Sequence, residues 1–101
     1  MAEYFPEVKK PIKYEGPKSK NALAFKHYNP KKKILGKTMA EHLRFSVCYW
    51  HTFKGLGSDP FGPDTMIRSY NEPSDPMEQA EATMHAAFEF FTKLGVGYWC
   101  F

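Results

Sequence analysis

The sequence predicts an α/β fold, read as the opening portion of an α/β barrel or of a doubly wound sheet. Three observations carry that reading. Residues 43–53 are rich in aromatic and β-branched side chains and carry no formal charge after Arg44. A capped amphipathic helix is written over residues 76–94. It leads through a single glycine into a second apolar run, residues 96–101. Strand, long loop, helix and strand in that order form a β-α-β unit with parallel strands.

Residues 1–37 form an arm rich in Lys, Pro and Gly, with Tyr4, Phe5, Tyr14, Phe25 and Tyr28 spaced along it. Disordered segments are poor in aromatics, so this composition predicts an arm laid over a surface. Residues 38–101 form the second unit. Thr38 is placed to cap a short turn through residues 39–42, with Glu41 at the capping-box position. In the first strand Phe45, Val47, Tyr49, His51 and Phe53 share one face, and Ser46, Cys48, Trp50 and Thr52 share the other. Both sets are uncharged, which predicts burial on both faces as in a parallel sheet. Helical continuation from Thr38 is the alternative, and the β-branched and aromatic density favours the strand.

Residues 54–73 read as a long loop punctuated by Gly55, Gly57, Pro60, Gly62, Pro63 and Pro73. Loops of that length inside compact domains tend to carry function. The helix has Asp75 as its cap, Pro76 at the first helical position and Glu78 at capping-box spacing. Met77, Ala80, Met84, Ala87, Phe88, Phe91 and Leu94 recur at three- and four-residue intervals and predict one buried stripe. Gly95 is the left-handed C-terminal cap. The closing run, Tyr98-Trp99-Cys100-Phe101, reads as a buried strand with no turn or polar exit behind it. Such a strand needs neighbours on both faces, so the expectation is that this is the opening segment of a larger protein.

Composition narrows the functional classes. The chain has 101 residues, 17% aromatic and 43% hydrophobic, a richer apolar complement than a small domain needs. A formal charge of +3 is mildly basic. Lys31-Lys32-Lys33 beside Phe25 and Tyr28 raises nucleic-acid binding, but the net charge is too small for a phosphate-tracking surface. No run approaches the roughly 20 apolar residues of a membrane span. Met1 to Pro6 lack a signal-peptide pattern. Cys48 and Cys100 are therefore read as reduced core residues of a cytoplasmic protein.

Candidate chemistry is sparse. There is no CxxC, HExxH, GxGxxG, Walker or GxSxG motif. His27 sits in the arm among aromatics, and His42 and His85 lie on helices with no ligand-spaced partner, which argues against metal binding. His51 lies beside Trp50 at the end of the first strand, where α/β folds place their sites. It reads either as a site residue or as a hydrogen-bonded core His. Trp50 either walls a substrate site or plugs the end of a barrel.

Nine segments in order carry a family resemblance. They are Ile12 to Gly16, Ser19 to Asn21, Leu23 to Pro30, Leu35 to Lys37, Glu41 to Phe45, Tyr49 to Phe53, Asp59 to Gly62, Ala87 to Phe91, and Lys93 to Gly95 continuing into Tyr98 to Phe101. Together they resemble the N-terminal part of xylose isomerase in its longer-armed class. The resemblance implies the arm and first β-α-β unit of a TIM (β/α)8 barrel, truncated, from a homotetrameric cytoplasmic enzyme. It implies interconversion of D-xylose and D-xylulose, aldose and ketose, by a hydride shift assisted by two divalent cations, Mg, Mn or Co. The family's ring-opening His and its Asp follow directly after Phe101, and its metal ligands lie on later strands. No catalytic residue and no metal ligand is therefore expected in these 101 residues, and the chain alone is expected to be inactive. Two pocket residues carry over. Trp50 matches a tryptophan forming an apolar wall of the sugar site, and Phe61 matches a loop phenylalanine that enters a neighbouring subunit's site.

The sequence departs from the family at several positions. Pro11 reads as an insertion, Ala22 and Gly97 stand where the family usually has Pro, and Ser69-Tyr70 replaces a common Pro-Trp pair. These changes loosen local rigidity modestly at Ala22 and Gly97. They also suit a non-catalytic remnant acting as an interaction module, which is the alternative to an isomerase segment.

Overall fold

The first paired strands are joined by a two-residue turn. Leu35 and Gly36 both have positive φ, 52° and 82°. That geometry suits the tight hairpin turn whose twist matches its strands. It joins β1 (Lys33–Ile34) to β2 (Lys37–Thr38) in antiparallel register, Lys33 against Thr38 and Ile34 against Lys37. The structure is a computed structural model that describes residues 3–101, so Met1 and Ala2 of the arm and of the N-terminal reading lie outside the described residues. Thr38 then caps α1 (Met39–His42) through the expected reciprocal box with Glu41. His42 Nε2 donates to the Ile34 carbonyl oxygen at 2.7 Å, tying α1 back to the hairpin.

The first long strand is a correction. Only Ser46–Cys48 is extended (β3), and Tyr49–Lys54 turns into a short helix, α2. The reason is the lack of a ladder partner. β4 (Tyr98–Cys100) pairs with β3 over three residues, Ser46 with Tyr98, Val47 with Trp99 and Cys48 with Cys100, in parallel. Beyond Cys48 the main chain has no neighbour to bond, and a helix satisfies it internally. The helix also brings Tyr49 and Phe53 onto one face, with ring centroids 5.7 Å apart. Packing has overridden β propensity here.

The third helix, α3, runs Pro76–Leu94, matching the expected limits. Asp75 accepts from the Glu78 amide at 3.0 Å, and Gly95 closes the helix at φ 83°. Its buried line is Thr83, Ala86, Ala87 and Phe91, flanked by Ala82, Phe90 and Leu94. Met77, Ala80, Met84 and Phe88 of the expected stripe are exposed, a second correction. The helix is rotated because α2, a 3₁₀ turn at Ser69–Asn71 and the arm all lie on one side of it. Phe53 meets Phe90, Phe91 and Tyr70 at 5.5, 5.9 and 6.3 Å between ring centroids. The two alanines at 86 and 87 are fully buried, and having no long side chain they leave room for these rings.

Trp99 stacks on Phe91 at 5.3 Å and 12° and meets Phe88 edge-on at 5.0 Å. Its register partner Val47 is buried on the same face. The opposite face, Ser46, Cys48, Tyr98 and Cys100, is exposed or half-buried. Burial of both faces of the first strand and of the closing strand is therefore corrected, as is the core placement of the cysteines. Cys48 is half-buried, Cys100 is exposed, and both are free thiols.

The result is a small α/β unit and not a closed barrel. Its radius of gyration is 16.4 Å, against about 13 Å for a compact chain of this size. Phe45, Trp50, Ile67, Met77, Tyr98 and Phe101 are all exposed. Isolated β-α-β units with that much open apolar surface associate. The 101-residue chain in isolation is expected to bind a hydrophobic dye and to self-associate. A monodisperse monomer with one cooperative thermal transition and no dye signal would contradict this.

Candidate functional site

Two exposed aromatics were singled out from sequence, and the structure places them on different elements. Trp50 lies in the first turn of α2, two residues beyond the last residue of β3. It is 59% exposed, and its closest ring is its neighbour His51, edge-on at 5.8 Å. His51 is exposed too, so it is not a buried core histidine.

Phe61 is 97% exposed at the tip of a loop. The loop is nonetheless well braced. Asp59 Oδ1 accepts from the Phe61 amide at 2.8 Å, and Asp59 and Gly62 exchange main-chain hydrogen bonds at 3.3 Å. Deeper in the loop, Leu56 O accepts from the amides of both Thr65 and Met66 at 2.9 Å, and Thr65 Oγ1 donates to Gly57 O. Gly57 is required there. Its φ is +76°, and a Cβ would run into Thr65 Oγ1. A rigid neck thus holds an uncovered aromatic tip. Among the described residues no ring packs on Phe61, and the structure does not bring it to Trp50.

An apolar cleft lies elsewhere. A cleft of about 960 Å³ is lined by Phe25, Tyr28, Phe45, Val47, Leu94 and Tyr98, among others. It opens at the N-terminal end of β3 and β4, away from Trp50. Phe25, Tyr28 and Phe45 form one edge-to-face chain beside it, at 5.6 and 5.4 Å. Sites in open α/β sheets and barrels form at the carboxyl ends of strands, whereas this cleft lies at the amino ends.

Among the described residues no three His, Cys, Asp or Glu side chains converge as a metal site. The donors present therefore do not fit the divalent cations that the family resemblance implies. Two of the shifted carboxylates serve local structure. The Glu41 carboxyl is held below its ordinary range by the Thr38 amide and hydroxyl at the helix cap. Glu15 is lowered by Asn21 and Ser19, which it uses to close the loop over residues 16–24.

No family model matches the sequence. Individual relatives do. The chain is 57% identical to the xylose isomerase of Thermoanaerobacterium thermosaccharolyticum over 101 residues, all of this chain and 23% of that protein. It is 59% identical to that of Caldanaerobacter subterraneus subsp. yonseiensis over 98% of this chain and 22% of the relative. Over its whole length the chain is a homologue of the xylose isomerases. That of Halalkalibacterium halodurans agrees, at 58% over 97% of the chain and 22% of its own length. The chain spans under a quarter of the xylose isomerases it matches, in their N-terminal region.

Sequence reasoning missed two features of this surface. Tyr70, noted only as a departure, is 3% exposed and packs edge-on against Phe53 and Tyr4. Glu89 and Lys93 take hold of the arm's main chain, and their i, i+4 spacing was the available signal. Gly57→Ala is expected to cost about 1–2 kcal/mol of loop order, from the left-handed backbone alone. Trypsin should then cut faster after Lys54 and Arg68 while α3 stays intact. An unchanged cleavage rate would show that Gly57 does not set the loop.

Proposed function

We propose that this chain supplies the N-terminal arm, residues 1–37, and the first β-α-β portion, residues 38–101, of a TIM-barrel xylose isomerase acting in the cytoplasm. The observation that carries the proposal is identity of 54–59% to xylose isomerases across essentially the full chain. The reaction is aldose–ketose interconversion, D-xylose to D-xylulose, in which hydrogen moves between the first two carbons. The cations and the acid–base groups of that reaction belong to residues other than those described here.

Within the assembled tetramer, Trp50 forms an apolar wall of the sugar pocket and Phe61 reaches the pocket of a neighbouring subunit. Their shared role is exclusion of water, so that the migrating hydrogen does not exchange with solvent. An aromatic tip that is nearly fully exposed within its own chain, on a loop braced by Asp59 and Gly57, supports this reading of Phe61.

Three measurements test the proposal. The 101-residue chain alone should form no ketose from xylose with Mg, Mn or Co. Ketose formation abolished by a chelator would contradict that. With this chain replacing the matching segment of a full-length relative, Phe61→Ala should lower turnover roughly 10- to 100-fold, the scale of a disturbed reacting geometry. Cation affinity should stay nearly unchanged. Mixing Phe61→Ala subunits with subunits inactive at the ring-opening His should restore activity, because each intact pocket draws its phenylalanine from the other subunit. Mixed tetramers without activity would rule out the cross-subunit role.

A further inference from the structure

The arm is held to α3 by a contact that differs from an ordinary surface ion pair. Glu89 Oε1 and Oε2 accept from the Tyr4 amide at 3.0 and 3.2 Å, and Oε2 accepts from the Phe5 amide at 2.7 Å. Lys93 Nζ donates to the Phe5 carbonyl oxygen at 2.8 Å, to Glu3 Oε1 at 3.0 Å and to Glu89 Oε2 at 3.2 Å. All three ammonium hydrogens are thereby used. The two side chains are only 17% and 16% exposed. The groups they grip are mainly main-chain ones, a feature that any extended peptide offers.

Aromatic rings supply the rest of the fit. Phe5 lies 5.6 Å from Phe90 and Tyr4 lies 6.0 Å from Tyr70, centroid to centroid. A second attachment follows along the same helix, where the Ile12 amide donates to the Lys93 carbonyl oxygen at 2.7 Å. Between the two anchors, residues 6–11 bond only within the arm among the described residues, by Val8 N to Phe5 O at 3.2 Å and a 3.9 Å ion pair from Lys9 to Glu3. Pro6 and Pro11 bound that stretch.

We propose that Glu89 and Lys93 form a main-chain receptor on α3 that holds residues 3–12 as a separable strap over the Phe53–Tyr70–Phe90 core. The strap leaves and returns without unfolding α3, because the helix keeps its own ladder, its Asp75 cap and its Gly95 end. Its receptor is charged, so docking also responds to acid. Burial pushes the Glu89 carboxyl up, but the Tyr4 and Phe5 amides and Lys93 outweigh it and leave the group below its ordinary value. A carboxyl lowered in the docked state contributes its stabilisation above that ordinary value and loses it as pH falls through the docked one. The charged groups facing Glu89 are Lys93 on the helix and Glu3 on the arm, with Lys9 behind Glu3.

Hydrogen exchange on the full chain, corrected for intrinsic rates, tests the strap. In Glu89→Gln the Tyr4 and Phe5 amides should exchange about tenfold faster or more, the scale of losing bonds to a charged acceptor. Lys93→Met should accelerate the same amides, and trypsin should cut faster between Lys9 and Lys10 in both variants. The amides of residues 83–91 in α3 should keep their protection. Acid release of the Tyr4 and Phe5 amides should be present in the native chain and absent in Glu89→Gln. Unchanged exchange at Tyr4 and Phe5 in both variants would overturn the receptor. Equal acceleration throughout α3 would overturn the separable strap.

Discussion

The register that sets Val47 against Trp99 rests on Phe91. Two parallel strands joined through a distant helix have too few ladder bonds to hold themselves, so the helix must clamp them from one side. Phe91 does this by stacking flat on Trp99 while meeting Phe53 of α2 edge-on. Ala86 and Ala87, one turn earlier, are fully buried and keep the helix near the strands. Every other placement follows. Trp50 lands where it does because α2 turns at the end of the paired strand. The Phe61 loop leaves from α2, and the arm lies along the same side of α3 as α2 and Tyr70.

The clamp is one-sided. The face carrying Cys48 and Cys100 is only partly covered, and the outer edges of β3 and β4 have no partner among the described residues. A parallel sheet is stable when both faces are buried, which explains why the strands shrink to three residues each. The same shortage of ladder partners turns residues 49–54 helical. The rotation of α3, which leaves Met77 and Met84 in solvent, follows from the elements packed on one of its sides.

Local signals were legible where the chemistry is local. The Thr38–Glu41 box, the Asp75 cap, Pro76 at the helix start and the Gly95 stop all depend on residues within a turn of one another. The parallel pairing of the two apolar runs was also legible, from the order strand, helix, strand. The face of α3 was not, since it depends on which elements pack against it. The hairpin at Leu35–Gly36 hid because leucine is a poor signal for positive φ. Of the candidate site, Phe61 and Trp50 could be picked out only by resemblance to xylose isomerases. Composition and spacing left Trp50 open and gave no reason to single out Phe61. The Glu89 contact to Tyr4 joins residues far apart in sequence through main-chain groups, which side-chain patterns do not encode.

On the proposed function, the open face and edges of β3 and β4 seat the rest of an isomerase barrel. Mixing this chain with the remaining segment of the Thermoanaerobacterium relative, beyond the part it matches, tests that seat directly. A stable complex is expected, in which dye binding by the chain is suppressed and chelator-sensitive ketose formation emerges, with neither piece active alone. Two pieces that remain separate, with the dye-accessible surface of this chain unchanged, would contradict it.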